Sequence, residues 1–435
     1  MFFVAHYLFF SVSYHSEMTT TAILGQGYVG LPLAEALCEV GDAVLGFDVN
    51  EALVARLNSG FSHVDDISDA SLAKMLAAGY RATSAPSDLQ LADVVVICVP
   101  TPLQPSGAPD LTYVENASAL VAKNMKPGAL VILESTTYPG TTKNLLRPML
   151  EEGGRELDSD FMLAFSPERI DPGNAKFNIR NTPKIVGGES SASGEAAAAF
   201  YQRFVSEIHV TRGTKEAEAA KLLENTYRHV NIALVNELAM FCHDLGIDIW
   251  EVIRAASSKP YGFAPFYPGP GVGGHCIPVD PAYLSYEVKK RLGVDFRFIE
   301  TAMDINNGMP RYVVSRIQRI LNREEKPLRG SKVLLLGMAY KPNIADLRES
   351  PSLEILEILM HEGADVSYHD PLIQTLRIGD QVVTGVADAS IAAAESDVVV
   401  LLQAHAAYDI DALIGHSKFF FDTRGVTRSD NVERL

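Results

Sequence analysis

The stretch TTAILGQGYVGLPLAEALCEVGDAVLGFDVN, residues 20–50, decides the fold class of this chain. An apolar run, a glycine-rich turn, a stretch of helix formers and a second apolar run follow one another, which predicts a strand, a helix and a parallel strand. Gly25, Gly27 and Gly30 stand in the turn. Glycines at this spacing permit a tight turn, let the backbone approach a pyrophosphate at the helix N-terminus, and allow helix and strand to pack closely.

The second apolar run ends in an acidic residue. Asp48 follows the glycines at about the 20-residue spacing of dinucleotide-binding sites. A carboxylate at this place accepts hydrogen bonds from the adenosine ribose and repels the 2′-phosphate of NADP. No arginine stands directly after Asp48. The segment therefore predicts a dinucleotide site that favours NAD and includes Tyr28 and Val29; the alternative is a purely structural glycine turn.

The same order of elements returns near the C-terminus. Strand-like runs lie at residues 92–100, 129–136, 331–340, 364–371, 396–405 and 418–425. Between the two sets, residues 217–257 contain no proline and many helix formers, which predicts one or two long helices. Strands that alternate with helices indicate a parallel, doubly wound sheet. The predicted fold class is α/β, with two Rossmann-like doubly wound parallel-sheet domains joined by a central long-helix region.

Composition excludes several classes of protein. Of 435 residues, 47% are hydrophobic and 21% are charged, as in packed chains of two or three domains. With 37 basic and 54 acidic residues the net charge is −17, which argues against nucleic acid and anionic membranes as partners. The four cysteines are widely spaced and form no CxxC pair. We therefore expect neither a disulfide framework nor a metal site, and a reducing, cytoplasmic location.

The second repeat departs from the first in its turn. Ala339 stands where a glycine of the first repeat stood, so close approach of a dinucleotide is not expected there. Lys341, Arg348 and Arg424 instead place cations at the expected carboxyl ends of strands, the edge at which such sheets bind ligands. This pattern predicts a diphosphate pocket; the alternative is that each cation is an ordinary solvated side chain.

A glycine-rich loop carries a thiol. The loop is GPGVGGHCIPVDP, residues 269–281, with Cys276 near its end. Glycines let ligand and backbone come close together, and an ionised thiol is a nucleophile. Asp280 lies four residues on, where a carboxylate accepts protons near the sulfur. The alternative is a buried cysteine beside a tight turn, and His275 is interpreted as part of the loop structure.

Polar residues on the central helix complete the candidate set. Lys221, Asn225 and Arg228 are spaced i, i+4 and i+7, so they share one helical face. On a surface helix this is an ordinary solvated face. Glu168 follows a strand-like run within SPERIDPG, where prolines indicate a fixed path.

These motifs, in this order, resemble those of the nucleotide-sugar 6-dehydrogenases, the family of UDP-glucose and GDP-mannose dehydrogenases. The resemblance covers about residues 20–425 and rests on GQGYVGLPLA, CVPTP, ESTTYPGTT, SPERIDPGN, AEAAKLLENTY, GGHCIPVDP and AYKPNIADLRES. It implies a four-electron oxidation of a sugar C6 alcohol to a carboxylate, with two NAD consumed per sugar. It also implies a homodimer or higher homo-oligomer that assembles through the central helices.

The resemblance implies roles for individual residues. Cys276 is the nucleophile, Lys221 and Asn225 stabilise oxyanions, and water and protons are handled by Glu168, Thr136 and Asp280. The predicted cofactor-binding residues are Gly25, Gly27, Tyr28, Val29, Gly30, Asp48, Thr101, Ser135, Thr136 and Arg348. The predicted substrate-binding residues are Glu168, Arg169, Lys221, Asn225, Arg228, Gly271, Gly273, Lys341 and Arg424.

Domain limits follow from the same comparison. We expect residues 1–17 to be an extension outside the fold and residues 18–212 to form the NAD-binding domain. Residues 213–322 are predicted to form a central helical dimerisation domain with the cysteine loop, and residues 323–435 a UDP-sugar-binding domain.

Departures from the family pattern bear on the substrate. Arg169, His275 and Val279 stand where UDP-glucose dehydrogenases usually have an aromatic residue, serine and lysine. The motifs resemble more closely the branch that acts on UDP-N-acetylhexosamines, with UDP-N-acetylglucosamine favoured and UDP-N-acetylmannosamine or UDP-glucose as alternatives. Two other classes stay open: a non-catalytic sensor of NAD or nucleotide sugar, and a single-step hydroxy-acid dehydrogenase, which leaves the C-terminal repeat unexplained.

Overall fold

The computed structural model describes residues 19–64, 66–104, 106–170, 174, 176–274, 277–429 and 432–435. The predicted extension at residues 1–17 lies outside the described residues, as do His275 and the predicted nucleophile Cys276.

The first half of the chain forms an eight-stranded sheet. Its strands are β1 (Thr20–Leu24), β2 (Ala43–Phe47), β3 (Tyr80–Thr83), β4 (Val94–Ile97), β5 (Ala129–Leu133), β6 (Phe161–Phe165), β7 (Lys184–Gly188) and β8 (Ile208–Val210). Their spatial order is β3-β2-β1-β4-β5-β6-β7-β8, and neighbours are parallel except β6 and β7. The order reverses between β1 and β4, where doubly wound sheets bind their ligands.

Helices cover both faces of this sheet. They are α1 (Gly30–Glu39), α2 (Glu51–Asn58), α3 (Asp69–Ala77), α4 (Thr112–Asn124), α5 (Arg147–Leu150) and α6 (Ser191–Gln202), with a 3-10 turn at Pro86–Leu91 and a π turn at Thr142–Leu146. One face of the sheet packs against α1, α3 and α6, and the other packs against α4 and α5. Because parallel strands buried on both faces are apolar throughout, β4 and β5 are buried at every residue.

The middle of the chain is helical. It contains α7 (Thr214–Asp244), α8 (Ile249–Ala256), α9 (Asp280–Leu292) and α10 (Arg297–Arg323). The long helices α7 and α10 pack against each other, and a buried hydrogen bond of 2.9 Å from Asn236 to Asn306 joins them. Residues 217–257, predicted to form one or two long helices, contribute to the long helix α7 and form the short helix α8.

The last third forms a second parallel sheet. Its strands are β9 (Lys332–Leu336), β10 (Asp365–His369), β13 (Val398–Leu401), β14 (Phe420–Asp422) and β15 (Glu433–Arg434), in the order β10-β9-β13-β14-β15, with a separate hairpin of β11 (Thr375–Ile378) and β12 (Gln381–Thr384). Its helices are α11 (Pro351–His361), α12 (Ala389–Glu395) and α13 (Ile410–His416). Apolar residues of α10 share one core with β9 and β13. The predicted fold class is confirmed.

The two sheets repeat the same turn at atomic detail. The turn glycine, Gly25 or Gly337, donates its N–H to the last residue of the next strand at 2.9 Å in both copies. The acid after that strand, Asp48 or Asp370, accepts the N–H of the residue after the glycine, at 3.1 and 2.7 Å respectively. The internal repeat predicted from the order of elements therefore extends to individual hydrogen bonds.

Two classes of feature are absent from the part of the chain that the structure describes. None of its helices combines the length and the apolar character that crossing a bilayer requires. Within the same residues, no group of three or more His, Cys, Asp or Glu side chains is arranged to hold a metal ion.

Candidate active site

The glycines of the first turn meet different surroundings. Gly25 has φ +94°, and a Cβ there would lie 2.6 Å from the carbonyl oxygen of Cys98 at the end of β4. A Cβ on Gly30 would strike the carbonyl of Gly25, so this glycine lets α1 approach β1. A Cβ on Gly27 would meet no described atom within 4 Å. Val29 is the N-cap residue of α1 and makes no side-chain capping bond. Open space before an uncapped helix N-terminus fits a pyrophosphate.

Asp48 lies beside this turn. Its carboxylate accepts the backbone N–H groups of Gln26 and Asn50 at 3.1 and 2.9 Å, and the side chain is half-buried. Gln26, which the sequence did not single out, is fully buried and donates its amide to the Ile23 carbonyl at 2.8 Å. The hydroxyl of Tyr80 donates to the Gln26 amide oxygen at 2.8 Å. These bonds fix the loop in the shape that presents Asp48.

The loops after β4 and β5 lie next to the turn. The Ser135 hydroxyl donates to the Val99 carbonyl at 2.7 Å, so it is occupied in joining the two loops. Thr136 is half-buried directly after it. Thr101 lies at the hydroxyl of Tyr283 on α9, which donates to the Pro102 carbonyl at 3.1 Å. The predicted cofactor edge is thereby linked to the central helices.

Arg348 brings the C-terminal sheet to the cofactor turn. Its guanidinium lies over the ring of Tyr28, 5.1 Å from the centroid, and Asp346 holds it through an ion pair of 2.6 Å. The carbonyl of Arg348 accepts the N–H of Gly274 from the cysteine loop at 3.0 Å. Arg348 therefore joins three parts of the predicted site.

Four predicted catalytic residues come together next to the cysteine loop. The Lys221 ammonium donates to the carbonyl oxygen of Glu168 at 2.6 Å, and the side chain of Asn225 donates to the Asp280 carboxylate. Lys221 and Asp280 are only 8% and 3% exposed. Burial raises the pKa of Asp280 to about 6, although Lys221 and Asn225 oppose the rise. For Lys221, the alternative of a solvated helix face is wrong because the β6 loop and α9 cover it.

Arg169 and Arg228, both predicted to contact the substrate, lie in different surroundings. Arg169 pairs with Glu224 on α7 at 2.6 Å and donates to the Pro183 carbonyl at 2.5 Å. Arg228 lies on the next turn of α7 and is exposed. The structure brings Arg169 to the centre as a link between the β6 loop and α7, but it does not bring Arg228 to Lys221 and Asn225.

The glycines of the cysteine loop pack against protein. A Cβ on Gly271, whose φ is +141°, would lie 2.8 Å from Pro351, and one on Gly273 would lie 2.7 Å from Tyr340. The expectation was that these glycines make room for a ligand. Their hydrogens instead face the C-terminal domain, so close packing of the loop on that domain explains the residue type. Contact with substrate at Gly271 and Gly273 stays a prediction.

The cations of the second sheet lie near the same loop. The Arg424 Nε donates to the Leu402 carbonyl at 2.6 Å, and a Cβ on Gly269 would lie 3.2 Å from its guanidinium. Burial lowers the pKa of Arg424 to about 10, and Asp422 opposes this. Lys341 follows β9 and is partly exposed. Arg424 is half-buried beside Gly269, so its guanidinium lies where it can pair with an anionic ligand at the loop.

The second sheet does not offer a ribose acceptor. Asp370 corresponds to Asp48, but its side chain is fully buried and lies 3.2 Å from His405 Nε2. It also accepts the N–H groups of Met338 and Leu372 at 2.7 and 2.9 Å. A carboxylate with these partners has no face for a ligand, which agrees with the expectation that the second turn does not bind a dinucleotide.

Sequence reasoning missed a buried ionic cluster next to the site. Lys184 lies 2.8 Å from Glu134 and 3.6 Å from Glu168, and the Tyr201 hydroxyl donates to Glu134. The thiol of Cys98 lies 3.7 Å from the same carboxylate. Glu134 stands directly before Ser135 in ESTTYPGTT, and an acid at the end of an apolar strand was the available signal.

The fold and the site define a nicotinamide-dinucleotide-dependent dehydrogenase with a second nucleotide-type domain. The chain belongs to the UDP-glucose/GDP-mannose dehydrogenase family. The NAD binding domain of that family matches residues 19–205, its central domain residues 215–308, and its UDP binding domain residues 334–429. The predictions of an NAD-dependent oxidoreductase and of NAD as the cofactor are confirmed.

Relatives with different named substrates match most of the chain. A UDP-N-acetyl-D-mannosamine dehydrogenase of Salmonella typhi is 36% identical over 95% of this chain and 100% of that protein. A UDP-N-acetyl-D-glucosamine 6-dehydrogenase of Pseudomonas aeruginosa is 37% identical over 81% of this chain and 82% of that protein. The structure of a UDP-D-ManNAc dehydrogenase from Pyrococcus horikoshii has a TM-score of 0.86 and 33% identity, covering 96% of this chain and 98% of that one.

Proposed function

We propose that this protein oxidises the C6 hydroxyl of a UDP-N-acetylhexosamine to the uronate in an NAD-dependent, four-electron reaction, with UDP-N-acetylglucosamine as the favoured substrate. The observation that carries this proposal is the convergence of Lys221, Asn225, Asp280 and Glu168 at one end of the cysteine loop. Relatives named for two different UDP-N-acetylhexosamines support the class of sugar.

The first oxidation needs a hydride acceptor and a proton acceptor. NAD bound at the turn of Gly25 and Gly27 would supply a hydride acceptor, with one NAD consumed in each of the two oxidations. Asp280 is the group suited to take the C6 hydroxyl proton, because Asn225 fixes its carboxylate and it is ionised above a pKa of about 6. The ammonium of Lys221 stabilises the alkoxide that forms as this proton leaves. The product of this step is the aldehyde.

The second oxidation requires a nucleophile. An aldehyde releases its remaining hydride only after a group adds to the carbonyl carbon, and we assign that addition to the thiol of Cys276. A C–S bond forms while the carbonyl oxygen takes up a proton, which gives a thiohemiacetal. Loss of the remaining C6 hydride together with the hydroxyl proton converts it to a thioester. Water then adds, the C–S bond breaks, and the acid leaves while the thiol is restored. We assign acceptance of the proton of that water to Glu168, and Thr136 is the second residue proposed to handle the water.

Substrate recognition is assigned to the junction of the cysteine loop and the second sheet. Arg424 and Lys341 supply the positive charge that a diphosphate needs, and Gly269 brings the loop backbone beside Arg424. Contacts of Arg169, Arg228, Gly271 and Gly273 with the sugar nucleotide are part of the same proposal. The domain limits at residues 18–212, 213–322 and 323–435 are proposed with it, as is a cytoplasmic location, which suits the free thiols of Cys38, Cys98 and Cys242.

An exposed apolar stripe on α7 supports the proposed homodimer. Its members on the helix are Leu223, Tyr227, Leu234, Leu238 and Phe241, and Leu245 continues the stripe directly after the helix; all are 39–73% exposed. Apolar surface of this extent marks an interface, and a two-fold contact of α7 with itself covers the stripe on both copies. Leu234→Glu is expected to give monomers in light scattering, whereas Ile391→Glu, an exposed residue of α12, is expected to leave the dimer intact. A dimer that survives Leu234→Glu and Phe241→Glu together contradicts this interface.

A substrate panel tests the proposed activity. Purified protein with NAD is offered UDP-N-acetylglucosamine, UDP-N-acetylmannosamine, UDP-N-acetylgalactosamine and UDP-glucose, and NADH is followed by absorbance. The proposal expects the highest kcat/KM with UDP-N-acetylglucosamine. Preference for the mannosamine isomer corrects only the configuration at C2. Binding of NAD and UDP-sugar without any NADH formation favours the sensor, and oxidation of simple hydroxy acids favours the single-step dehydrogenase.

A further inference from the structure

The antiparallel strand β7 brings a cation to the ligand edge of the first sheet. Strands β1 to β6 all present their carboxyl ends at that edge. Strand β7 runs the other way and presents its first residue, Lys184. The register pairs Ala164 with Gly188 and Phe165 with Gly187. Continued by three residues, it places Lys184 opposite Glu168, and their charged atoms lie 3.6 Å apart.

Glu134 holds Lys184 in this place. The Glu134 side chain is fully buried directly after β5, and its carboxylate lies 2.8 Å from the Lys184 ammonium. The hydroxyl of Tyr201 donates to the same carboxylate, and its ring lies 4.8 Å from the ammonium. The Lys184 ammonium therefore lies between two carboxylates. Glu134 also accepts the Tyr201 hydroxyl, and Glu168 is the second acid.

The carboxylate of Glu168 is fixed from two sides. One oxygen accepts the backbone N–H groups of Arg169 and Ile170, the first at 2.6 Å, and the other faces Lys184. Titratable groups that face Glu168 from the surrounding elements are Lys184 on β7, Glu134 after β5, Cys98 after β4 and Lys221 on α7. Two carboxylates share one buried ammonium in this cluster, so its net charge depends on Lys184.

We propose that Lys184, held by Glu134, is a positioning residue that keeps the Glu168 carboxylate oriented and negatively charged for thioester hydrolysis. This inference rests on the proposed function, in which Glu168 accepts the proton of the attacking water. Burial raises the pKa of Glu134, Glu168 adds to that rise and Lys184 opposes it, so the ammonium is the group that favours the charged carboxylates in this cluster. Removing one charged member therefore changes the proton affinity of the remaining acid.

Two substitutions test the inference by moving the pH profile in opposite directions. Lys184→Met removes the cation, so the acid limb of the kcat profile is expected to move to higher pH, with kcat lowered about 10- to 100-fold. Thioester hydrolysis becomes slower, so mass spectrometry of acid-quenched protein should show a covalent sugar adduct. In Glu134→Gln the Lys184 ammonium loses its pair with Glu134 and keeps its pair with Glu168. The acid limb is therefore expected to move to lower pH. KM for both substrates should change little in either variant.

Controls separate positioning from damage to the fold. Lys184→Arg keeps the charge and is expected to restore the wild-type acid limb. Arg203→Met breaks an ion pair of 2.6 Å with Asp42 near the start of β2 and is expected to leave the profile unchanged. Should Lys184→Met fail to fold, Glu134→Gln and Lys184→Arg carry the test. Shifts in the same direction, or no shift with only lower thermal stability, overturn the inference. Absence of NADH with wild-type protein on every UDP-sugar contradicts the proposed function instead.

Discussion

The guanidinium of Arg348 lies over the ring of Tyr28 at 5.1 Å from its centroid, so the C-terminal sheet reaches the cofactor turn of the first sheet directly. The same residue accepts a hydrogen bond from Gly274 through its carbonyl. One residue thus connects the cofactor turn, the cysteine loop and the UDP binding domain.

Loss of this contact should weaken cofactor binding. A cation–π contact of this kind contributes about 1 kcal/mol, so Arg348→Ala is expected to raise the KM for NAD roughly 5-fold. Arg377→Ala, an exposed arginine of β11, serves as the matched control and should leave the KM unchanged. Steady-state kinetics with NAD varied at saturating UDP-sugar measures both. An unchanged KM in Arg348→Ala shows that the stack plays no part in cofactor binding.

Asp48 should set both affinity and the choice between NAD and NADP. Asp48→Asn removes the charge and keeps an acceptor oxygen for only one of the Gln26 and Asn50 N–H groups, which bind different oxygens of the Asp48 carboxylate. We expect the Kd for NAD to rise about 10-fold, because a hydrogen bond to a charged group contributes about 1.5 kcal/mol or more, and binding of NADP to improve. Isothermal titration with both dinucleotides measures this. The neighbouring Glu51→Gln is the control, and equal effects of the two variants count against a ribose contact.

The pKa of Asp280 predicts how the rate of the first oxidation falls at acidic pH. Burial raises this pKa to about 6, so the carboxylate is ionised above that pH and protonated below it. A proton acceptor works only when ionised, and the rate of the first hydride transfer is expected to fall as pH drops through about 6. Single-turnover absorbance measurements from pH 5 to 8 follow this step. Asp280→Asn should remove the inflection and lower the rate by about 100-fold or more; an inflection that persists in this variant belongs to another group.

Glu218 predicts a pH dependence of stability. It is fully buried on α7, accepts the N–H of Thr142 at 2.8 Å, and also accepts the N–H of Gly140. Burial raises its pKa from 4.5 to about 7, so the folded state binds the proton more tightly than the unfolded state. The contribution of Glu218 to the free energy of unfolding is therefore greatest below pH 4.5 and decreases as pH rises to about 7.

Urea unfolding at several pH values tests this expectation. Glu218→Gln should remove the decrease between about pH 5 and 7, whereas Glu216→Gln, an exposed acid on the same helix, should retain it. An identical pH slope in wild type and Glu218→Gln shows that the carboxyl is not the group responsible.

Local patterns made much of this structure predictable. The turn of Gly25, Gly27 and Gly30 and the acid Asp48 fall within one strand-helix-strand unit, so their spacing carries the geometry. The helical spacing of Lys221 and Asn225 likewise predicted that the two side chains share one face of α7.

Long-range arrangements were beyond reach of the sequence. Lys184 meets Glu168 because β7 returns antiparallel beside β6, and no local spacing indicates that reversal. Gly271 and Gly273 were interpreted as space for a ligand, since a glycine-rich loop looks the same whether its neighbour is a ligand or, as here, Pro351 and Tyr340. Exposure of Arg228 depends on which elements cover each turn of α7, which the helical pattern does not specify.

The most direct test of the central claim is the ratio of NADH formed to UDP-sugar consumed, measured in one reaction by absorbance and by chromatography of the nucleotide sugars. Two NADH for each UDP-uronate, with no free aldehyde, is the predicted result. Cys276→Ser is expected to abolish sustained formation of the acid. One NADH per sugar with released aldehyde, or normal acid formation by Cys276→Ser, contradicts the thioester route.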